Sequence, residues 1–323
     1  MPLHDDARWL AAAARLAARG RPLSRPNPAV GAVLVRDGRV LGRGWTQVGG
    51  RPHAEAVALA QAGEQARGAT LYVTLEPCAH PSPRGPSCAD LIAGSGLARL
   101  VFARTDPDPR TSGKGAARIA AAGVAVQQLA CGAAERSLIG HLTRAALGRP
   151  HITLKLAISL DGRIALPDGR SRWITGEAAR AHVHAQRARS DAILVGGGTW
   201  RADTPRLDVR LPGLEDRSPR RLVLTRGTVP EGVTALAAPE EIGALAKLQY
   251  LYVEGGAQTA AAFLRADLVD RLDLYRAPIL IGEGRAAVGD LQLGSLAQAH
   301  GRWRLAEQRQ LGSDLYEAYE RQR

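Results

Sequence analysis

Aromatic residues are scarce in this chain, and cysteines scarcer. Phe, Trp and Tyr make up 4% of its 323 residues. Any hydrophobic core must therefore be built from Ala, Leu, Val and Ile, which dominate the 45% of apolar residues. The three cysteines are an odd count with no disulfide framework, which points to a reducing compartment. No apolar run approaches transmembrane length, so no membrane partner is expected. Met1-Pro2-Leu3-His4-Asp5-Asp6 has neither a charged n-region nor an apolar h-region. No signal peptide is expected, and the reading is a soluble, cytoplasmic protein. Blocks of like charge are missing too. The net charge is +12, from 43 Lys+Arg against 31 Asp+Glu, yet no five consecutive residues share a sign. Such scattered charge is a solvated surface. Nucleic acid is therefore not expected as a partner; the surplus suits phosphorylated small substrates or simply an arginine-rich proteome. There is no internal repeat and no Gly-x-Gly-x-x-Gly fingerprint, so a dinucleotide-binding Rossmann domain is not supported.

What is present is concentrated in one stretch. His53-Ala54-Glu55 is followed by Pro77-Cys78 and then Cys88. One imidazole and two thiols supply three ligands for a tetrahedral Zn²⁺ and leave a fourth position for water. Glu55, two residues from the histidine, suits a proton carrier rather than a ligand. Together these are the parts of a zinc deaminase, in which activated water replaces an amino group and ammonia leaves. Ser87 can cap a helix starting at Cys88, whose first-turn thiol is then favoured as thiolate by the helix dipole. Nine residues, Ala79 to Ser87, separate the two cysteines. That loop carries His80 and Arg84, donors suited to a polar or anionic substrate. Cys131 has no partner motif and reads as a small packing residue.

The length fits two domains. Asp5 or Asp6 is expected to cap a helix that stops at Gly20, and Asp37-Gly38 to turn a hairpin between strands at 29–35 and 40 onward. Strands at 69–75, 97–103 and 124–129 alternate with helices opening at His53, at Cys88 and near 116–122, an α/β pattern. A helix over 133–147, closed by Gly148-Arg149-Pro150, leads to a boundary between 148 and 149. Beyond it, strands are expected at 152–158, 192–195, 221–224 and 251–253, with a helix over 177–190. Closing antiparallel strands are expected at 272–281, 303–307 and 315–319. Gly196-Gly197-Gly198 and Gly255-Gly256 read as glycine turns after strands; the second precedes a helix and exposes backbone N–H groups to a phosphate.

Pro26-Asn27-Pro28-x-Val30-Gly31, His53-Ala54-Glu55, Thr74-Leu75-Glu76-Pro77-Cys78-x-His80 and Asp106-Pro107-x-Pro109 occur in this order. In the second half come Leu154-Lys155-Leu156-Ala157-x-Ser159-Leu160-Asp161-Gly162-Arg163, Trp173-Ile174-Thr175, Asp203-x-Pro205-x-Leu207 and Val253-Glu254-Gly255-Gly256. In these motifs the chain resembles the bifunctional deaminase/reductases of bacterial riboflavin biosynthesis, over nearly its whole length. The resemblance implies a cytidine-deaminase-like α/β/α domain over 1–148 and a dihydrofolate-reductase-like α/β domain over 149–323. It implies hydrolytic deamination of 2,5-diamino-6-(5-phosphoribosylamino)pyrimidin-4-one, then NADPH-dependent reduction of the ribosyl group to ribityl phosphate.

Carried onto this chain, the resemblance places Zn²⁺ on His53, Cys78 and Cys88, with Glu55 as the catalytic proton shuttle. Asn27 and His80 would hold the pyrimidine. Lys155 and Asp203 would line the reacting sugar, and Ser171, Arg187, Leu207, Arg210 and Glu254 would contact substrate. NADPH would lie on Ala157, Trp173, Thr199, Asp203 and the segment from Gly256 to Ala262. A substrate phosphate gives Arg187 and Arg210 a guanidinium fork to fill. The expected assembly is a homo-oligomer, dimer or tetramer. The chain departs from the family pattern twice: the cysteine spacing is one residue longer than usual, and the segment from Thr225 to Tyr250 is short. Rival readings are a nucleic-acid base deaminase and a deaminase with a non-catalytic second half. A zinc-stabilised binding module would need a fourth protein ligand.

Overall fold

The computed structural model describes residues 3–323; Met1 and Pro2, on which part of the leader reading rests, lie outside them. The chain packs as two units, Met1–Gly148 and Arg149–Arg323.

In the first unit α1 (Leu3–Ala17) precedes the hairpin of β1 (Gly31–Arg36) and β2 (Arg39–Trp45). Asp37 and Gly38 turn the hairpin with positive φ at both positions, the conformation that matches strand twist. Then follow α2 (Ala54–Ala62), β3 (Thr70–Leu75), α3 (Cys88–Ala93), β4 (Arg99–Arg104), α4 (Lys114–Ala121), β5 (Ala125–Gln128) and α5 (Gly132–Leu147). The sheet order is β2-β1-β3-β4-β5, with β3, β4 and β5 parallel and β1 antiparallel to both its neighbours. Strand side chains alternate between faces, and both faces are covered. Leu34, Leu71, Val73 and Phe102 pack with Ala58, Ile92 and Ile119. Val33, Val35, Tyr72 and Val101 pack with Trp9, Leu10 and Ala134. Cys131 is buried in that second layer, as a packing residue should be.

Two expectations fail here. Neither Asp5 nor Asp6 caps α1, which begins earlier. Asp6 is buried and accepts hydrogen bonds from Tyr72 Oη at 2.7 Å and from Arg99 at 3.0 and 2.7 Å, so its carboxylate ties the helix to the sheet. The helix also stops at Ala17, and turns carry the chain through Gly20.

The second unit contains β6 (His151–Ile158), β7 (Arg163–Ala165), α6 (Glu177–Arg187), β8 (Ala192–Gly196), α7 (Gly197–Asp203), β9 (Arg220–Leu224) and β10 (Val233–Leu236). It continues with β11 (Tyr250–Val253), α8 (Ala257–Arg265), β12 (Arg271–Arg276), β13 (Arg285–Ala286), β14 (Trp303–Leu311) and β15 (Asp314–Arg321). Eight strands form one sheet in the order β10-β9-β8-β11-β6-β12-β15-β14, and β7 pairs with β13 as a separate ribbon. The six strands from β10 to β12 are parallel; β15 is antiparallel to β12, and β14 is antiparallel to β15. One face packs Leu154, Leu194 and Leu251 against Phe263 of α8. The other packs Tyr252, Tyr275 and Tyr316 against Ala179 and Val183 of α6.

The strand expected over 272–281 is only partly antiparallel and ends early. β12 runs parallel to β6 and antiparallel to β15, and it ends at Arg276 before Pro278, which has no N–H to give a ladder. The glycine run after β8 is not just a turn, because Gly197 opens α7. The short Thr225–Tyr250 segment still holds β10 and a 3-10 turn over Pro239–Ala244. Among the described residues no helix is long and apolar enough to cross a membrane.

Candidate active sites

In the first unit the ends of three elements meet. His53 is the N-cap residue of α2, Cys78 follows β3, and Cys88 is the first residue of α3. Ser87 caps α3 as expected, its hydroxyl accepting from Asp90 N. His53 Nδ1 lies 3.3 Å from Cys88 Sγ and 3.5 Å from Cys78 Sγ, and Cys88 N donates to Cys78 Sγ at 3.3 Å. The three ligand atoms lie within 4.8 Å of one another, the only such His/Cys/Asp/Glu trio among the described residues. Glu55, in the first turn of α2, is 3% exposed, and its Oε2 has no hydrogen-bond partner.

The electrostatics of this cluster call for a cation. The Cys78 thiol is held down to about 4 by the hydrogen bond from Cys88 and by the His53 ring, against the effect of burial. The same contact with Cys78, together with burial, pushes Cys88 up. Burial likewise pushes Glu55 above the ordinary carboxylate range. Two sulfurs competing for one proton beside an unpartnered carboxylate oxygen fit a Zn²⁺ with three protein ligands and one open position. Among the described residues no fourth protein ligand joins them, whereas a zinc-stabilised binding module would need one.

Asn27 stands beside this cluster. Its Nδ2 is 3.0 Å from His53 Nε2 and donates to Gly50 O at 3.0 Å. Gly50 has φ +87°, and a Cβ there would lie 2.7 Å from the Asn27 side chain, so the residue must be glycine. His80 meets Thr111, with Nδ1 to Oγ1 at 3.3 Å. Arg84 is exposed and is not left to face an anion alone, because its Nη1 donates to Gly49 O at 3.0 Å. The reading of the residues missed Glu76 and Thr111, both buried. Glu76 stood in the quoted Thr74–His80 motif, whereas nothing local marked Thr111.

In the second unit Lys155, Ala157, Ser171, Trp173, Arg187, Thr199, Asp203, Leu207, Arg210, Glu254 and Gly256 line one groove of about 420 Å³. It opens at the carboxyl ends of β8 and β11, where strand order reverses and α/β sheets bind ligands. Lys155 and Ala157 come from β6, and Arg187 from α6. Ser171 and the exposed Trp173 precede α6, while Thr199 and Asp203 lie on α7. Leu207 and Arg210 follow α7, and Glu254 and Gly256 follow β11.

Its centre is an ion-paired cluster. Arg187 Nε and Nη2 hold the Glu254 carboxylate at 2.6 and 2.9 Å, and Arg187 Nη1 donates to Asp208 O at 3.0 Å. Three of the five guanidinium N–H groups of Arg187 are thus taken by protein atoms. Lys155 Nζ stands 4.0 Å from Glu254 Oε2. Burial pushes the Lys155 ammonium down, and it works to raise Glu254 too, but Arg187 keeps the Glu254 carboxyl below its ordinary value. Arg210 remains more than half exposed, 3.5 Å from Asp208.

A second groove, of about 690 Å³, shares Gly198, Thr199, Gly256 and Arg285 with the first. Its walls are Gly196–Thr199 and Gly256–Thr259. Cβ atoms at Gly196 or Gly255 would fall within 2.4 Å of Thr259, so both glycines are fixed by close packing. Of the segment 256–262, only the first four residues line the groove; Ala260 and Ala261 are buried in the core.

A His/Cys/Cys metal cluster on one α/β unit, followed by a mostly parallel α/β unit with a glycine-lined groove, defines a two-domain deaminase/reductase. Residues 3–104 match the cytidine and deoxycytidylate deaminase zinc-binding region, and residues 150–316 match the RibD C-terminal domain. The chain is 38% identical to the riboflavin biosynthesis protein RibD of Escherichia coli K12, over 96% of this chain and 98% of that one. It is 39% identical to RibD of Mycobacterium tuberculosis, over 90% of each. The structure of RibD from Acinetobacter baumannii superposes with a TM-score of 0.89 at 35% identity over the whole of both chains. A Thermotoga maritima diaminohydroxyphosphoribosylaminopyrimidine deaminase/5-amino-6-(5-phosphoribosylamino)uracil reductase gives 0.83 at 28% identity, over 99% of each. The chain belongs to the RibD family of bifunctional riboflavin biosynthesis proteins. The two folds inferred from the motifs are those of this family.

Proposed function

We propose that residues 1–148 deaminate 2,5-diamino-6-(5-phosphoribosylamino)pyrimidin-4-one and that residues 149–323 reduce the ribosyl group of the product to ribityl phosphate. The observation that carries this reading is the His53/Cys78/Cys88 cluster beside an unpartnered Glu55 oxygen.

In the first reaction His53, Cys78 and Cys88 would hold Zn²⁺, which would supply Lewis-acid activation of water. Glu55 Oε2 takes a proton and returns one to the departing amino nitrogen. Its burial suits both tasks, because a raised carboxyl accepts and releases protons nearer neutrality. Asn27 and His80 orient the pyrimidine.

In the second reaction NADPH, when bound along the glycine-lined groove, supplies the reducing equivalent. Ala157, Trp173, Thr199, Asp203 and Gly256 form its bed. Lys155 donates hydrogen bonds to the sugar oxygens, and Glu254, fixed by Arg187, accepts from the sugar hydroxyls. Ser171, Leu207 and Arg210 close around the phosphorylated end. Arg210 is the more exposed of the two arginines, and Arg187 keeps two N–H groups beyond its bonds to Glu254 and Asp208 for the substrate. The enzyme works in the cytoplasm as a homo-oligomer on a free nucleotide-like substrate, without nucleic acid.

A two-stage assay tests the proposal. Zinc-loaded protein should release ammonia from the diaminopyrimidine at a rate insensitive to salt, and NADPH absorbance should then fall on the product. Ammonia without NADPH consumption would leave the second unit without its reaction. Activity on single-stranded nucleic acid that falls steeply with salt would reverse the substrate reading.

A further inference from the structure

The loop from Asp106 to Gly113 carries the Asp-Pro-x-Pro motif, to which the chemistry above assigns no task. It is held rigidly against the end of β3. The buried Glu76 carboxylate accepts from Gly113 N at 3.0 Å, Ala116 N at 3.1 Å and Asp106 N at 3.4 Å. A Cβ at Gly115 would lie 2.0 Å from Pro77 O, so α4 abuts the segment that carries Cys78. Within the loop Thr111 N donates to Asp108 O at 2.8 Å, and Lys114 N donates to Thr111 O at 2.7 Å. Thr111 is completely buried and cannot drift.

The Thr111 hydroxyl has two neighbours. Ala79 N donates to Oγ1 at 3.4 Å, and His80 Nδ1 lies 3.3 Å from the same oxygen. A hydroxyl carries one proton, and a buried proton needs an acceptor. The backbone N–H of Ala79 offers none, so among the described partners only the lone pair of His80 Nδ1 can take it. The ring then carries its hydrogen on Nε2, the nitrogen that has no protein partner among the described residues.

We propose that Thr111 is a positioning residue that fixes His80 as the Nε2–H tautomer, so that the site presents an N–H donor and selects a pyrimidine with a ring carbonyl acceptor. The inference rests on the deaminase reading for its substrate, although the tautomer itself does not depend on turnover. A ring bearing an amino group where the carbonyl should be would meet donor against donor.

The test uses the zinc-loaded full chain with its histidine rings labelled with heavy nitrogen, the His80 signal being assigned from His80→Gln. Nuclear magnetic resonance should show Nε2–H for His80 in the wild type and in Thr111→Ser, and a mixture of tautomers in Thr111→Val. In parallel, Thr111→Val should raise KM for the diaminopyrimidine by roughly tenfold, the worth of one hydrogen bond, with kcat and zinc content little changed. Thr111→Ser should restore KM. An Nδ1–H signal for His80 in the wild type would overturn the inference, as would an unchanged tautomer and KM in Thr111→Val. Absence of ammonia release from the wild type would instead count against the deaminase reading and leave the spectrum to decide the tautomer. If Thr111→Val fails to fold, the wild-type and Thr111→Ser spectra still decide it.

Discussion

The two units hold charge at their sites in opposite ways. In the first, two buried thiols and an imidazole crowd together beside a carboxylate oxygen with no partner. In the second, each buried charge has an answer: Glu254 lies against Arg187 on one side and Lys155 on the other. The first site is electrically incomplete until a cation enters. The second already pairs its buried carboxylate before any ligand arrives, so its polar groups serve both the fold and the binding site. Losing a partner should therefore cost the first unit its chemistry and the second its stability.

The sharpest way to break that contrast is to remove the metal. Dialysis against a chelator should abolish ammonia release while NADPH oxidation on the deaminated product continues at its former rate; parallel loss of both would deny the units their independence. Glu55→Gln comes next. Ammonia release should fall by roughly 10²–10⁴-fold with zinc still bound, the span ordinarily lost with a proton-transfer group. Release at the wild-type rate would remove Glu55 from the proton path.

Arg187→Ala probes the other side of the comparison. It leaves Glu254 buried against Lys155 alone, and breaking a buried pair from one side costs about 3–5 kcal/mol. Urea unfolding should show the second unit weakened by that order while ammonia release persists. The acid response is smaller. Because Glu254 sits below its ordinary value in the fold, its contribution is full above the unfolded glutamate range, near 4.5, and is lost as pH falls through the folded value. Thermal unfolding of the second unit should therefore move to lower temperature on acidification, and Glu254→Gln should flatten that slope. The smallest effect belongs to Arg84→Ala, which removes one exposed bond to Gly49 O and should cost under about 1 kcal/mol with zinc content unchanged.

The same contrast explains what the sequence disclosed. The metal ligands fall within one short stretch, each at the end of a strand or the start of a helix, so residue type and local pattern sufficed. Lys155, Arg187 and Glu254 lie far apart along the chain and meet only because β11 inserts between β8 and β6. Without the family resemblance they are ordinary charged residues. Asp6 looked like a helix cap because its partners, Tyr72 and Arg99, are distant in sequence. Helix α7 was hidden because it begins with two glycines, poor helix formers. Thr111 gave no sign at all, since its role depends on which lone pair receives one proton.

X-ray absorption at the zinc edge of the loaded protein tests the central claim most directly. The account predicts two sulfur neighbours at about 2.3 Å and one imidazole nitrogen and one oxygen at about 2.0 Å. A shell lacking sulfur, or a fourth protein ligand closing the open position, would contradict it.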